Sequence, residues 1–300
     1  MTASRSHGAG QVLAVLIDSI NQSFFHSRML RAWGHSKAME SNGHWMLQMR
    51  QASSLVEAMA AGGLRPDDKP ASDLVIGRNA GAVLAADAAQ AERCARTAGD
   101  AAVALPDSAM RSLMNEIVAS EEAHAARLRA WCEGPPEGTR QAKHLLPKPG
   151  ALPMALEALN RALRPLVAAV SQIFLHSLVF GCAGRNEDAE RELVAALEVM
   201  ARAEALLERL LDLGGLPDHR RHGRLIMGSG SAAAEWTARD IHDVIITELE
   251  AGLATLDAIA DPLTHTLIDG ILRAEGAARQ NVAQRLDRLV AASSTARQAS

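Results

Sequence analysis

Histidine occurs at the same place in two similar stretches of this sequence. The stretches INQSFFHSRMLRAWG (20–34) and VSQIFLHSLVFGCAG (170–184) share the pattern Gln-x-x-x-His-Ser and end in glycine. Their histidines, His26 and His176, could bind a metal ion, although a hydrogen-bonded histidine at a helix contact is the commoner case. Another candidate lies in SEEAHAARL, where Glu121 and His124 are three residues apart. On a helix this spacing places a carboxylate and an imidazole on one face, where they could bind a metal ion.

The similarity between the two halves extends over most of the chain. MRQASSLVEAMAAGGLRP (49–66) matches MARAEALLERLLDLGGLP (200–217), and VIGRNAGAVLAAD (75–87) matches IMGSGSAAAEWTARD (226–240) with one small gap. LMNEIVASEEAHAARL (113–128) matches LIDGILRAEGAARQNV (267–282) in the same order. The constant order and nearly constant offset indicate a tandem duplication of a unit of about 130 residues.

Each unit has the apolar periodicity of four helices. In the first unit the amphipathic stretches lie near residues 10–35, 38–62, 79–103 and 107–131, by the spacing of their apolar residues. A longer connection separates the second helix from the third in both units, which is the crossover of a ferritin-like bundle rather than of an up-and-down bundle. A Pro- and Gly-rich segment at 134–152 predicts a linker. We therefore expect an all-α protein in which residues 8–133 and 153–292 form two tandem ferritin-like four-helix bundles.

Composition favours the same fold and narrows the function. Apolar residues make up 48% of the chain and aromatic residues only 3%, and the abundance of Ala and Leu favours helices over sheets. A net charge of -4 gives no reason to expect nucleic acid or an anionic membrane surface as a partner. Cys94, Cys132 and Cys182 form no Cys-x-x-Cys pair, so we expect reduced thiols and a cytoplasmic location. We expect no membrane span, because no run reaches the ~18 apolar residues that a span requires.

Four stretches of the sequence resemble bacterioferritin, the haem-containing branch of the ferritin family. They are INQSFFHSRMLRAWG, ALLERLLDLGGLP, LIMGSGSAAAEWTARD and SEEAHAARL, and together they sample all four helices of a unit. The resemblance implies that the two bundles form an intrachain pseudo-two-fold dimer. It also implies a di-iron oxidation centre in each bundle, with Glu on the first and third helices and Glu-x-x-His on the second and fourth.

Most positions that the resemblance assigns to the di-iron ligands hold other residues here. They are Leu16, Gln48, Gln51 and Ala91 in the first unit, and Leu166, Val199, Arg202, Val244 and Ala278 in the second. Glu121, His124 and Glu275 keep the ligand type and are interpreted as vestiges of such a centre. Apolar side chains cannot coordinate iron, and the cation of Arg202 would repel it. We therefore expect no di-iron centre, no catalytic residues and no independent catalytic activity.

The resemblance implies a second site, in which one haem b lies between two units and a methionine from each unit binds its iron. Those methionines fall on Met49 and Met200. A methionine on an amphipathic helix is more often a core residue, but here the match recurs at the same register in both units. The resemblance surrounds the haem with Ile17, Ile20, Asn21, Phe24 and Met46 of the first unit, and with Val167, Val170, Ser171, Phe174 and Leu197 of the second. Arg50 is expected to pair with a haem propionate, while its counterpart is Ala201.

These implications lead to an expected function in electron transfer, with one haem b per chain. Two thioether ligands fill both axial positions of the iron and leave none for oxygen or a substrate. The expected partners are redox proteins or the subunits of a larger redox enzyme, and the fused chain could oligomerise further. Two other functions stay open from the sequence: a haem-free scaffold or interaction protein with a ferritin-like fold, and an iron-storage bacterioferritin built from fused chains.

Overall fold

The chain is helical throughout most of the residues described by a computed structural model, which are 2–64, 69–70, 74–105, 109–133, 153–218, 224–225, 231–259 and 261–298. In the first half, α1 spans Thr2–Ala32, α2 Ala38–Ala61, α3 Ala80–Ala104 and α4 Ala109–Glu133. In the second half, α5 spans Pro153–Cys182, α6 Asn186–Asp212, α7 Ser231–Leu256 and α8 Pro262–Gln298. The all-α prediction is confirmed. The predicted linker at 134–152 lies outside the described residues.

Equivalent helices of the two halves end in the same way. Gly34 after α1 and Gly184 after α5 have φ values of +72° and +71°, a left-handed conformation that glycine adopts without steric cost. The amide of His35 donates to the carbonyl of Leu30, and the amide of Arg185 donates to that of Phe180, both at 2.9 Å. This is the Schellman closure of a helix C-terminus. The repeated glycine in the sequence is therefore a repeated helix stop.

Each half forms its own four-helix bundle. In the first, α1 packs against α2 and α3, and α4 packs against α3 and α2; in the second, α5 packs against α6 and α7, and α8 packs against α7 and α6. The long connections between the second and third helices of the two bundles meet each other. There β1 (Lys69–Pro70) pairs antiparallel with β2 (Arg224–Leu225), a contact between distant segments that the sequence did not predict.

The two bundles pack together through their first two helices. α1 contacts α6, and α2 contacts α5. In each contact the first helix of one bundle meets the second helix of the other, as expected of an isologous pair, in which both partners use the same surface. Where α1 crosses α5, the side-chain amide of Asn21 donates to the hydroxyl of Ser171 over 2.8 Å. These two residues are equivalents in the duplication, so the pseudo-two-fold axis passes close to them.

α5 is long and apolar enough for a membrane span by length and composition, and it is the one such helix among the described residues. Its most apolar 18-residue window has a mean hydropathy of 1.7, which differs from the expectation that no stretch would qualify. In the structure 67% of that window is buried inside the protein. A central helix that packs against α6, α7 and the first bundle needs apolar residues around most of its circumference, which accounts for the composition.

Candidate functional site

A cavity lies in the seam between the two bundles. Four helices contribute to it, α1 and α2 from one side and α5 and α6 from the other. Its lining residues are Ile17, Ile20, Asn21, Phe24, Trp45, Met49, Val167, Val170, Ser171, Phe174, Met200 and Ala203. The structure therefore brings together all the residues predicted to line the seam except Met46, Arg50 and Leu197.

Met49 and Met200 enter this cavity from opposite bundles. Met49 lies on α2 and Met200 on α6, and both side chains are half-buried against the core. Thioether sulfur is a soft donor that suits iron in a porphyrin and other soft metal centres, and it is a poor ligand for hard cations. Two soft donors from opposite bundles therefore line the same cavity.

The polar groups that line the cavity satisfy one another. Asn21 and Ser171 exchange hydrogen bonds across the seam at 2.8 Å and 3.2 Å, and the Ser171 hydroxyl also lies 3.4 Å from the carbonyl of Val167. The rest of the wall is apolar. A mostly apolar lining of this kind suits an apolar ligand, because such a ligand loses little hydrogen bonding when it leaves water.

One wall of the cavity is aromatic and includes a residue that was not predicted. Trp45 lies with its ring edge toward Phe24, the ring centroids being 6.5 Å apart. The guanidinium of Arg28 lies 4.8 Å from the centroid of Phe24 and 6.0 Å from that of Trp45. A sequence signal was available, because Trp45 stands four residues before Met49 and shares its helix face. Ala203, three residues after Met200, is the other unpredicted lining residue.

The structure places Met46, Leu197 and Arg50 outside the cavity lining. The side chains of Met46 and Leu197 are each 46% exposed, and Arg50 is exposed. Met46 and Leu197 stand three positions before Met49 and Met200, which rotates them by about 60° around the helix axis from those methionines. Arg50 directly follows Met49 and is rotated from it by about 100°. Those rotations point all three side chains toward solvent. The expectation that Arg50 approaches the seam ligand therefore has no support in this geometry.

In the first bundle, the vestigial residues form a hydrogen-bonded network. The buried carboxylate of Glu121 accepts from His44 Nε2 and from Gln48 Nε2, each over 3.1 Å. Gln48 Nε2 also lies 2.7 Å from the hydroxyl of Ser19. The carboxylate thus has hydrogen-bond partners without a metal ion. Leu16, at the first-helix ligand position, is fully buried and supplies no donor.

His124 stacks on His44 in the same network, with ring centroids 3.4 Å apart. Burial, the neighbouring His44 ring and the cation of Arg127 lower the pKa of His124 to about 2. The thiol of Cys94 lies in the same core, where burial and the Glu121 carboxylate raise its pKa well above the ordinary value. A protonated thiol is a poor metal ligand. The described residues contain no group of three or more His, Cys, Asp or Glu side chains arranged to hold a metal ion.

In the second bundle, the side chain of Arg202 lies beside the equivalent buried carboxylate, that of Glu275. Glu275 is fully buried and its two carboxylate oxygens accept from Arg202 Nη1 and from His242 Nδ1, both over 2.7 Å. The prediction assigned the third-helix position to Val244, which is 50% exposed. The inward-facing residue is His242, because the buried residues of α7 match those of α3 at a constant offset that pairs Ala91 with His242. The gap in the alignment of the two halves had shifted the predicted position by two residues, to Val244.

The repeated histidines are hydrogen-bonded core residues. His26 Nδ1 donates to the buried carboxylate of Asp87 over 2.6 Å. His176 Nε2 lies 2.9 Å from the side-chain amide nitrogen of Gln172. Neither histidine lines the seam cavity. Their role is to join helices or turns within each bundle, which is the commoner of the two roles considered for them.

Comparison with known proteins agrees with this architecture. The family model for the ferritin-like domain matches residues 156–291, close to the span of the second bundle. The bacterioferritin of Mycobacterium leprae is 31% identical over 123 residues, which cover 41% of this chain and 77% of that protein. The bacterioferritins of Mycobacterium avium and Streptomyces coelicolor are 29% and 27% identical over the same length, and cover 77% and 74% of those proteins. With its two ferritin-like bundles and this similarity, the chain belongs to the bacterioferritin family.

Proposed function

We propose that the chain binds one haem b in the seam cavity and functions in electron transfer. Met49 and Met200 are the proposed axial ligands of the haem iron. The observation that carries this proposal is that both thioethers line one cavity from opposite bundles. Haem itself, once bound, supplies a reversible one-electron couple.

The cavity lining fits such a group in its chemistry, because cofactor sites are lined mostly by apolar and aromatic side chains with a few polar groups. Ile17, Ile20, Val167 and Val170 provide aliphatic walls, and each bundle adds a phenylalanine. The polar pair in the wall is internally hydrogen-bonded, so it does not compete with sulfur for the metal.

The two methionines also determine what the site can do. Ligation by both thioethers would leave the haem iron no open position for oxygen or a substrate, so the site favours electron transfer over catalysis. Soft sulfur ligands and an apolar surrounding both favour the reduced, less charged iron. We propose a redox protein or the subunits of a larger redox enzyme as partners, in the cytoplasm.

The interior of each bundle argues against iron oxidation as the main activity. The carboxylate oxygens of Glu121 are engaged by His44 and Gln48, and those of Glu275 by Arg202 and His242. Arg202 places a permanent positive charge beside the carboxylate that an iron ion would need. Iron storage would therefore have to proceed without these positions.

Size-exclusion chromatography of protein from haem-replete cells, read at the haem absorbance band, tests the proposal. We expect haem absorbance to coelute with the chain at one haem per chain. Met49→Ala and Met200→Ala should each lose that absorbance or change its spectrum. Met46→Ala is the matched control, because Met46 lies on the same helix, is exposed and does not line the cavity. Colourless native protein would contradict the proposal, and so would unchanged spectra in both ligand variants.

A further inference from the structure

We propose that the seam cavity holds its ligand in a single orientation, and that Trp45 is the main residue that selects it. The identity of the ligand as haem rests on the function proposed above. The inference of a single orientation rests on a difference in side-chain size between the two walls of the cavity. Two identical repeats would form identical walls and give the ligand no preferred orientation.

Equivalent lining residues differ in a consistent direction. Ile17 faces the site where the second bundle has Val167, Ile20 where it has Val170, and Asn21 where it has Ser171. In each of these pairs the larger side chain comes from the first bundle. The phenylalanine pair and the methionine pair are unchanged between the halves. The wall contributed by the first bundle is therefore bulkier at each of the three positions where these pairs differ.

Trp45 is the largest of these differences. The offset that relates Met49 to Met200 pairs Trp45 with Ala196, which is buried and does not line the cavity. On the second side the cavity extends to Ala203, whereas the equivalent Ala52 on the first side is not part of the lining. The first bundle thus adds an indole to the lining where the second bundle adds only the methyl group of Ala203.

Packing holds the indole in place. Trp45 is only 7% exposed, its ring meets that of Phe24 at 84°, and Arg28 lies over both rings. Arg28 is itself held by the carboxylate of Glu204 on the other bundle, at 3.0 Å. The residue equivalent to Arg28 in the second bundle is Leu178, so the opposite wall has no matching cation at that position. A fixed wall discriminates between ligand shapes better than a mobile one.

Haem b has two unlike side edges, which carry methyl and vinyl groups in different order. A half-turn about the pseudo-two-fold axis between the bundles would exchange these two edges. Between identical subunits the two orientations are equivalent by symmetry. Here they place different edges against Trp45 and against the smaller side chains of the second bundle. Because overpacking of a tight site is costly, we expect a preference of at least about tenfold for one orientation.

Proton NMR of the ferric haem-loaded protein tests the inference. Paramagnetic shifts separate the ring-methyl signals of the two orientations, and we expect one set with a minor set of at most about one tenth. Trp45→Ala should increase the minor set several-fold, and Trp45→Phe should increase it less. Met46→Ala should leave the ratio unchanged. A symmetric protoporphyrin isomer, which has equivalent edges, should give one set in every variant and shows that a second set reports orientation.

The outcomes separate the inference from the proposed function. Two sets of nearly equal intensity in the native protein would overturn the single orientation while leaving haem binding intact. A native preference that is unchanged in both Trp45 variants would overturn the role of Trp45. If Trp45→Ala fails to fold, the native ratio and Trp45→Phe still decide both points. Absence of haem from the native protein would overturn the proposed function and this inference with it.

Discussion

Replacing Arg202 by methionine would leave a charged group in the core of the second bundle without its cation. Glu275 is fully buried, and its carboxylate has two partners, Arg202 and His242, each at 2.7 Å. Removing one partner of a buried ion pair typically costs about 3–5 kcal/mol. His242 stays hydrogen-bonded and Arg202 retains some solvent contact, so we expect the lower end of that range, about 3 kcal/mol, in the free energy of unfolding.

The same arginine provides its own control. Arg202 also pairs with Glu198 over 3.3 Å, but the Glu198 side chain is 61% exposed. Exposed pairs contribute at most about 1 kcal/mol, so Glu198→Ala should change stability little. Arg202→Lys keeps the charge and should recover most of the loss. Urea unfolding followed by circular dichroism measures all three variants, and unchanged m-values would show that the unfolded states are comparable. If Arg202→Met were no less stable than Glu198→Ala, the ion pair would not hold this core together.

Three further predictions concern stability. The folded-state pKa of His124, about 2, is below the ordinary 6.5, so the unfolded chain binds the proton more readily. The stability that neutral, buried His124 contributes is complete above pH 6.5 and is lost as the pH falls, by up to about 1.4 kcal/mol per pH unit. His124→Leu should flatten this part of the curve of unfolding free energy against pH, measured by urea titration. An unchanged slope would contradict the burial argument. Ser171→Ala should cost about 1–3 kcal/mol in urea unfolding, because it leaves the buried Asn21 amide without its partner, whereas the double substitution Asn21→Leu with Ser171→Val removes both polar groups and should cost less than Ser171→Ala alone; a double variant less stable than the single one would contradict this reasoning. Asp261→Ala should cost about 1 kcal/mol in thermal unfolding, since Asp261 accepts from the Thr264 amide at the start of α8; a change no larger than that of an exposed Asp240→Ala control would argue against the cap.

The sequence predicted the helices well, because their amphipathic pattern and glycine stops are local features. Helix boundaries were less accurate at the ends of the chain, where α1 begins at Thr2 and α8 continues to Gln298. The two-residue pairing of β1 with β2 could not be predicted, since it joins two distant connections and has no sequence pattern of its own. The linker boundaries at 134–152 stay a prediction.

For the site, register was the deciding factor. Met49 and Met200 were predicted from a part of the family resemblance that contains no alignment gap, and both line one cavity in the structure. The alignment gap before α7 led to Val244 in place of His242, and helix rotation accounts for the exposure of Met46 and Leu197. Trp45 was not predicted because the family resemblance drew attention to other positions of the same helix. Its effect depends on which atoms face the seam, which three-dimensional packing decides.

Met49 and Met200 are together proposed to bind the iron of one haem, and the axial ligands can be identified directly. Near-infrared magnetic circular dichroism of the ferric protein does so, because the charge-transfer band that it records depends on those ligands. We expect a two-thioether signature in the native protein that Met49→Ala and Met200→Ala each abolish and Met46→Ala preserves. A histidine-type signature, or a thioether signature that survives the loss of either Met49 or Met200, would contradict the proposed ligation.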